Sequence, residues 1–405
     1  MTNLNEKLVF KSGRCTKNRI VKAAMSENMG SSHLPDHKFE RAYGTWAQGG
    51  AGLIITGNVM VDKNHLGENN NVVLDEEVKD LEPFKKWADS VHQEGALVYM
   101  QINHPGKQSP KFLNKNPVAP SAVGFQSHLK KAFHTPKALL HHEIESIIEQ
   151  FITTAQKAEQ AGFDGVQVHG AHGYLVSQFL SPLHNQREDL WGGPLENRAR
   201  FLTRICRGIK ENTSADFGVS LKINSADFQK GGFSKEESMT VLKLCDQLNL
   251  DFVEVSGGTY EASAMMGHKK RTHQREAYFI DYAEKAKALL QTPLMLTGGF
   301  RSARSINQAL ELSHIDLAGM ARPLCVDPDL PKKMILDQEY AFELTEKKLG
   351  VKFLDKMIPL EITWYTQQIH RMGAGKAPDP SLSVWKSALD TLIEIGAVGL
   401  KRTRA

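Results

Sequence analysis

The fold class is decided by residues 294–323, which read LMLTGGFRSARSINQALELSHIDLAGMARP. Two short apolar segments, residues 294–297 and 315–319, are separated by a longer stretch, and each leads into a glycine-containing turn with an arginine. Short apolar strands that alternate with helix-length segments are typical of parallel βα units and argue against a sandwich or a bundle.

The same alternation extends over most of the chain. Eight units can be counted, and most of their strands are nearly continuous in Val, Ile, Leu or Ala, as expected for strands buried on both faces. The strand candidates are residues 19–24, 52–56, 96–102, 165–169, 219–223, 252–256, 294–297 and 315–319. Eight repeats in roughly 300 residues predict a TIM (β/α)8 barrel. An open doubly wound sheet is the structural alternative, although no GxGxxG motif follows the first strand.

Helix signals lie between the strands. Asp75 is expected to cap a helix that carries an apolar repeat from Val78 to Val91, and Ser234 with Glu237 fits a capping box at the start of another. We expect residues 1–330 to form the barrel, with residues 1–15 as a lid over its bottom, and residues 331–405 to form a helical C-terminal extension packed on the barrel.

Composition excludes several classes of protein. The 405 residues carry a net charge of +4 without the basic runs of a nucleic-acid-binding surface. Four well-separated cysteines form no CxxC motif, so neither a local metal site nor an iron–sulfur site is expected. No signal peptide or membrane span is apparent, which favours a cytoplasmic protein that acts on a small molecule, with a homo-oligomer left open.

The densest group of chemically active residues is VQVHGAHGYL, residues 166–175, at the end of the fourth strand. His169 and His172 could together hydrogen-bond one oxygen and stabilise the negative charge that develops on it during conjugate addition. Tyr174 is a suitable proton donor to the adjacent carbon. Alternatively, one histidine is a core residue and the tyrosine only packs, or the histidines bind a metal, although no third ligand lies nearby in sequence.

A phosphate site is predicted where the seventh and eighth strands end, in TGGFR (297–301) and GMARP (319–323). The loops after these two strands commonly bind a phosphate in this fold. Gly298 and Gly299 allow a nest of backbone amides, and Arg322 supplies a forked cation. The alternative is that these glycines form simple strand-to-helix turns.

Two further polar residues lie on predicted barrel strands and suggest a flavin. Lys222 could face the barrel interior, where an unpaired ammonium would be costly, so an anionic partner is expected. A reduced flavin would fit, with Gln101 offering both a donor and an acceptor to its imide. The alternative partner is a neighbouring carboxylate such as Asp227.

These motifs together resemble the old yellow enzyme family, in particular the bacterial NADH:flavin oxidoreductases whose barrel also occurs in 2,4-dienoyl-CoA reductase. The resemblance covers Leu8 to Asp329 and includes NRIVKAAMSE (18–27), GLIITGNV (52–59) and MQINHPGKQS (100–109). Its most specific part is HGAHGYLVSQFLSPLHNQREDLWGGPLENRARF, residues 169–201.

The resemblance implies non-covalent FMN, NADH or NADPH as the reductant, and reduction of the activated C=C bond of an α,β-unsaturated carbonyl compound. In that case His169 and His172 would clamp the substrate carbonyl and Tyr174 would deliver the proton. The FMN-binding residues implied are Ala24, Met25, Ser26, Gly57, Gln101, Lys222, Gly298, Gly299, Arg301, Ala321 and Arg322.

Three departures from the family pattern are expected to matter. Many relatives have Cys or Thr where Ser26 stands, a position thought to tune the flavin potential. Lys222 replaces the usual Arg, which keeps the charge but loses the fork geometry. The iron–sulfur site and dinucleotide domains of dienoyl-CoA reductases are not expected here, so the reductant would reach FMN directly.

Two other functions stay open from the sequence. One is a metal-dependent barrel hydrolase that uses His169 and His172 as ligands. The other is a flavin-binding barrel without turnover. Residues 103–141 and 257–275 are expected to shape the substrate pocket, and they do not reveal the substrate.

Overall fold

Eight parallel strands close into a barrel, which confirms the predicted (β/α)8 fold. The computed structural model describes residues 2–126, 128–256, 280–345, 347–351, 360–391 and 393. The barrel strands are β1 (Ile20–Lys22), β2 (Leu53–Ile55), β3 (Leu97–Asn103), β4 (Gly165–Gly170), β5 (Gly218–Asn224), β6 (Val253–Ser256), β7 (Leu294–Thr297) and β8 (Leu317–Met320). Strand β8 pairs with β1, and β4 pairs with both β3 and β5, so no barrel edge is left open.

A helix follows each barrel strand on the outside. These helices are α1 (His37–Gln48), α2 (Glu82–His92), α3 (His141–Gln160), α4 (Leu195–Asn212), α5 (Lys235–Asp246), α6 (Ile280–Lys287), α7 (Ala303–Glu311) and α8 (Arg322–Val326). Their apolar faces pack on the barrel, as in the aromatic cluster of Phe39, Tyr43 and Trp87. The predicted capping box of Ser234 and Glu237 begins α5.

The start of α2 corrects one expectation. The helix begins at Glu82 and not near Asp75, with Pro83 in its first turn, where a missing N–H costs nothing. Asp75 instead accepts a hydrogen bond from the amide of Glu77 at 3.1 Å, within a turn. An apolar residue at position 78 therefore continued the helical pattern although the backbone there is not helical.

A hairpin closes the bottom of the barrel, in agreement with the predicted lid. Its two strands, Leu8–Val9 and Cys15–Thr16, are antiparallel. Between them Phe10 packs into the barrel interior, with its ring 5.5 Å from that of Phe252. Ser12 donates from its hydroxyl to Asp251 at 2.7 Å.

The connections at the open end contain short elements. The segment after β3 holds a 3-10 turn at Gly106–Gln108, another at His128–Lys131, and a two-strand pair of Val118–Ala119 with Lys137–Ala138. A second two-strand pair, Val59–Met60 with Val72–Val73, extends the sheet beside β3. The segment after β4 holds a short helix, Leu175–Leu180.

Helices also dominate the C-terminal part. They are Leu330–Leu336, Leu360–Gly373 and residues 384–391. The second of these packs on α1 and α8. The domain boundary at residue 330 stays a prediction. Across the ranges that the structure describes, the helices are all too short or too polar to cross a lipid bilayer.

Candidate active site

Three rings predicted to carry the chemistry lie together at the end of β4. The ring centroid of His169 is 5.2 Å from that of His172 and 4.9 Å from that of Tyr174, both in edge-to-face arrangements. His169 and Tyr174 are buried, while His172 is partly exposed. The backbone of His172 adopts a φ of 61°, a left-handed conformation that turns the chain sharply after the strand.

Hydrogen bonds orient both imidazoles. The amide of Ala171 donates to His169 Nδ1 at 3.3 Å, which places the proton of the neutral ring on Nε2. His172 Nε2 lies 2.9 Å from the Ser256 hydroxyl, and its amide donates to Asn224 at 3.1 Å. Because the rings are hydrogen-bonded in defined orientations, they can act as directional donors or acceptors.

The surroundings of both histidines favour the neutral imidazole. Burial lowers the pKa of His169 well below its ordinary value, and the charges of His172 and Lys222 lower it further. Burial and the Lys222 ammonium likewise lower the pKa of His172. Protonated His169 and His172 would repel each other and the Lys222 ammonium, so neutral imidazole is the form favoured for contact with a ligand.

The predicted phosphate loops meet at one cavity of about 70 Å³. Its lining residues are Thr297, Gly298, Gly299, Phe300, Arg301, Gly319, Met320, Ala321, Arg322, Pro323 and Leu344. Gly298 and Gly299 have φ values of 124° and 95°, which L side chains rarely adopt. The structure thus brings together the five residues of these two loops that were implied to bind FMN, which are Gly298, Gly299, Arg301, Ala321 and Arg322.

The C-terminal segment supports this cavity from outside. The amide of Phe342 donates to the Arg301 carbonyl at 2.7 Å. The Arg322 guanidinium lies 6.0 Å from the centroid of the Tyr365 ring, within reach of a cation–π contact. Arg322 is thereby held by a helix from outside the barrel.

Lys222 has a carboxylate partner, but it is not Asp227. Its Nζ lies 2.8 Å from Glu254 Oε1 on the neighbouring strand β6, while the Asp227 carboxylate accepts from the amide of Phe233 at 3.0 Å. The alternative of a carboxylate partner therefore holds for Glu254 and not for Asp227, because the barrel register places residues 222 and 254 side by side. An ammonium has three donors, so one ion pair does not use up Lys222.

Gln101 belongs to the same buried network. Its Nε2 donates to Gln167 Oε1 at 2.7 Å, and Gln167 Nε2 donates to Glu254 Oε2 at 2.9 Å. Strands β3, β4 and β6 therefore contribute one continuous hydrogen-bonded chain inside the barrel.

The loop after β1 lies against Gly57. The amide of Gly57 donates to Glu27 Oε1 at 2.8 Å, and a Cβ at this glycine would lie 2.4 Å from the Met25 carbonyl oxygen. Ala24, Met25 and Ser26 are partly exposed. The Ser26 hydroxyl donates to the Glu68 carboxylate.

The cluster of metal-ligand type that the described residues contain does not include His169 or His172. It consists of Asp62, His65 and His104, whose ligand atoms lie within 4.8 Å of one another. The amide of Gly106 donates to His104 Nδ1 at 3.0 Å, so the neutral ring carries its proton on Nε2. A metal at Nε2 needs the other tautomer, so this geometry does not favour a metal-dependent hydrolase.

Residues 8–339 match the profile of the NADH:flavin oxidoreductase / NADH oxidase family. The chain belongs to this family. The family assignment confirms the resemblance seen in the sequence, and the members of this family are flavin oxidoreductases, for which FMN is the implied cofactor.

Similar proteins share the barrel. The NADH-dependent flavin oxidoreductase iliE of Neonectria sp. (strain DH2) is 37% identical over 356 residues, covering 81% of this oxidoreductase and 46% of iliE. The structure of a 2-naphthoyl-CoA reductase complex with 2-naphthoyl-CoA is 28% identical with a TM-score of 0.76, covering 82% of this chain and 52% of that one. The chain therefore spans about half the length of these two proteins.

The fold extends to the old yellow enzymes themselves. An old yellow enzyme homologue from Zymomonas mobilis has a TM-score of 0.70 and 23% identity, covering 86% of this oxidoreductase and 95% of that chain. At this identity the likeness concerns the fold alone.

Several site residues of the oxidoreductase were missed in the sequence. Gln167 and Glu254 lie in the apolar strands VQVH and VEVS, where a polar residue between buried apolar neighbours was an available signal. Glu27 and Glu68 carried no such signal, since their partners are Gly57 and Ser26 on other segments. The predicted pocket residues 257–275 lie outside the described residues.

Proposed function

We propose that this oxidoreductase takes electrons from NADH or NADPH and reduces the activated C=C bond of an α,β-unsaturated carbonyl compound. The observation that carries the proposal is the cluster of His169, His172 and Tyr174 beside Lys222, which pairs with His169 in the β4–β5 register. Oxygen-binding, proton-donating and anion-binding groups thus share one end of the barrel.

The residues present fit FMN. Two positive-φ glycines beside Arg301 and Arg322 suit a phosphate ester, since backbone amides and forked cations are its usual partners. Gln101 and Lys222 would hold the pyrimidine edge, and Ala24, Met25, Ser26 and Gly57 would contact the ring system. When bound, FMN supplies hydride transfer from the nicotinamide to the β-carbon of the substrate.

The two histidines are assigned to the substrate carbonyl oxygen. His169 can donate from Nε2, because Nδ1 is already an acceptor for the Ala171 amide. His172 is engaged at Nε2 by Ser256, which leaves Nδ1 as the atom assigned to the ligand. Two oriented donors in a buried site would stabilise the enolate oxygen as charge develops on it.

Tyr174 is assigned the proton. Its ring packs on the His169 ring and precedes the helix Leu175–Leu180, so its position relative to the carbonyl-binding histidine is fixed. The hydroxyl would give its proton to the α-carbon while the β-carbon receives hydride, and solvent would restore the phenol. Electrons and protons then balance for one reduced C=C bond.

Two relatives support the chemical class. The iliE relative is described as NADH-dependent, which favours NADH for this chain. The 2-naphthoyl-CoA reductase binds a thioester conjugated to an aromatic ring, and such a carbonyl also activates a neighbouring C=C bond. We therefore propose a conjugated ketone, aldehyde or thioester as substrate, acted on by a cytoplasmic enzyme.

An anaerobic titration tests the proposal. The purified protein is expected to be yellow, to be bleached by NADH or NADPH, and to regain its colour when one member of an enone panel is added. Purification in a colourless form that refuses added FMN would overturn it. A yellow protein that no nicotinamide bleaches would instead support a flavin-binding barrel without turnover.

A further inference from the structure

We infer that Glu254 and Gln167 are positioning residues that fix the orientation of the Gln101 amide, so that its carbonyl oxygen faces the ligand. The inference deepens the proposed function, since it rests on FMN as the ligand at Gln101. It assigns a task to two buried polar residues that no step of the proposed reaction uses directly.

The three side chains form one line of hydrogen bonds. Gln101 Nε2 donates to Gln167 Oε1 at 2.7 Å, and Gln167 Nε2 donates to Glu254 Oε2 at 2.9 Å. Lys222 Nζ lies 2.8 Å from the other carboxylate oxygen of Glu254. The line crosses the barrel interior from β3 through β4 to β6.

The carboxylate decides the direction of the whole line. An ionised carboxylate can only accept, so the group that Gln167 turns toward Glu254 must be its NH2. Gln167 then presents its amide oxygen to Gln101, and Gln101 must donate a hydrogen bond from its own NH2. Each amide could otherwise be turned by 180° at little cost, because its two ends have nearly the same shape.

Burial of the three side chains enforces this direction of the hydrogen bonds. Glu254 and Gln167 are fully buried, and Gln101 is 2% exposed, so water cannot easily replace a mismatched partner. A reversed amide would place two donors or two acceptors face to face, which costs more in a buried site than in water. Lys222 Nζ, 2.8 Å from Glu254 Oε1, places a cation beside the carboxylate at the end of this line.

The consequence appears at Gln101. With Nε2 committed to Gln167, its Oε1 is the atom presented to a ligand at the mouth of the barrel. A flavin imide carries an N–H between two carbonyls, so an acceptor opposite that N–H is complementary. The reversed amide would set NH2 against N–H and lose the bond.

A double-mutant cycle tests the inference. FMN dissociation constants are measured by quenching of flavin fluorescence for the wild type, Gln101→Leu, Gln167→Leu and the double variant. Gln167→Leu should weaken FMN binding by about two- to tenfold, the value of one hydrogen bond. In the Gln101→Leu background the same change should weaken it by less than about twofold, since the orientation no longer matters.

Controls separate positioning from general damage. Thr154→Val removes a buried hydrogen bond of 2.7 Å to Leu74 on the outer side of the barrel and should lower the melting temperature without changing FMN affinity. If Gln167→Leu does not fold, Glu254→Gln takes its place in the double-mutant cycle. This change removes the carboxylate, which can only accept hydrogen bonds, and it should show the same coupling to Gln101 in FMN affinity.

The outcomes are distinguishable. Equal loss of FMN affinity in both backgrounds, or no loss from Gln167→Leu in the wild type, would overturn the positioning role while leaving the proposed function intact. If the wild type itself bound no FMN, the proposed function would fail first.

Discussion

The buried histidines make the stability of this protein depend on pH, and His184 offers the clearest test. Burial and the nearby Lys107 ammonium lower the pKa of His184 to about 3. Burial also lowers the pKa of three further histidines, His104, His169 and His172, well below the ordinary value. With a pKa of about 3, His184 is neutral in the folded protein at pH 5.5.

The sign follows from proton linkage. A histidine whose folded pKa is depressed must stay neutral in the folded state, whereas the unfolded chain takes up a proton below its ordinary pKa of 6.5. Stability is therefore full above pH 6.5 and is lost as the pH falls below it. At one pH unit below that value, a histidine such as His184 that stays neutral in the folded state costs about 1 kcal/mol of stability. His92 acts in the opposite sense, because the Asp164 carboxylate raises its pKa.

Urea unfolding of the FMN-saturated protein at pH 7.5 and pH 5.5 gives the two free energies of unfolding. FMN binding can itself change with pH, so the decisive quantity is the difference between the wild type and His184→Gln. The glutamine oxygen can still accept from Lys107, whose Nζ lies 3.1 Å from His184 Nδ1.

His184→Gln should shrink the loss between pH 7.5 and pH 5.5 by about 1 kcal/mol. His142→Gln is the matched control, since His142 is exposed on α3, and it should leave the loss unchanged. The reasoning fails if the wild type is equally stable at both pH values, or if the two variants respond alike.

Three further outcomes concern the active site. Tyr174→Phe should slow reoxidation of the reduced enzyme by an enone by about a hundredfold or more. Flavin reduction by the nicotinamide should stay near the wild-type rate in stopped-flow traces. Equal slowing of both steps would remove the role assigned to Tyr174. Arg322→Met should weaken FMN by about ten- to a hundredfold but leave riboflavin affinity unchanged, and parallel losses would place the phosphate elsewhere. Gly57→Ala should cost about 1 to 3 kcal/mol of stability and lower FMN occupancy. The reason is that its Cβ would lie 2.1 Å from Glu27 Oε2 and 2.4 Å from the Met25 carbonyl oxygen. A fully stable, yellow variant would contradict this packing.

The barrel could be predicted because its strands carry a local signal. A strand such as Leu294–Thr297 is apolar on both faces and ends in a glycine turn, and both features are readable without any knowledge of its neighbours. The cavity lined by the glycine-containing loops after β7 and β8 was predictable for the same reason. The start of α2 was not, because the apolar spacing near Val78 continued the helical pattern while Pro83 fixed the first turn further on.

The partner of Lys222 illustrates what sequence spacing cannot supply. Asp227 was the carboxylate named as an alternative because it is close in the chain, yet Glu254 is the carboxylate partner because β5 and β6 pair in register. Closing a barrel decides which residues lie side by side, and that closure is a property of all eight strands. The same holds for His370, which hydrogen-bonds the Glu27 carbonyl at 2.7 Å across 343 residues of chain.

The proposed function gives the polar interior of the barrel a physical reason, as a site built in advance for a polar ligand. Lys222 and Glu254 are nearly fully buried, and removing both charges from water costs more than an apolar pair would. This free-energy cost is incurred when the protein folds and not when a ligand binds. A ligand with carbonyl and imide groups then meets donors and acceptors whose directions are already set, so little further ordering opposes its binding. A barrel whose interior served packing alone would gain stability by replacing these residues with leucine and methionine, and it would lose the ordered hydrogen-bond line that ends at Gln101.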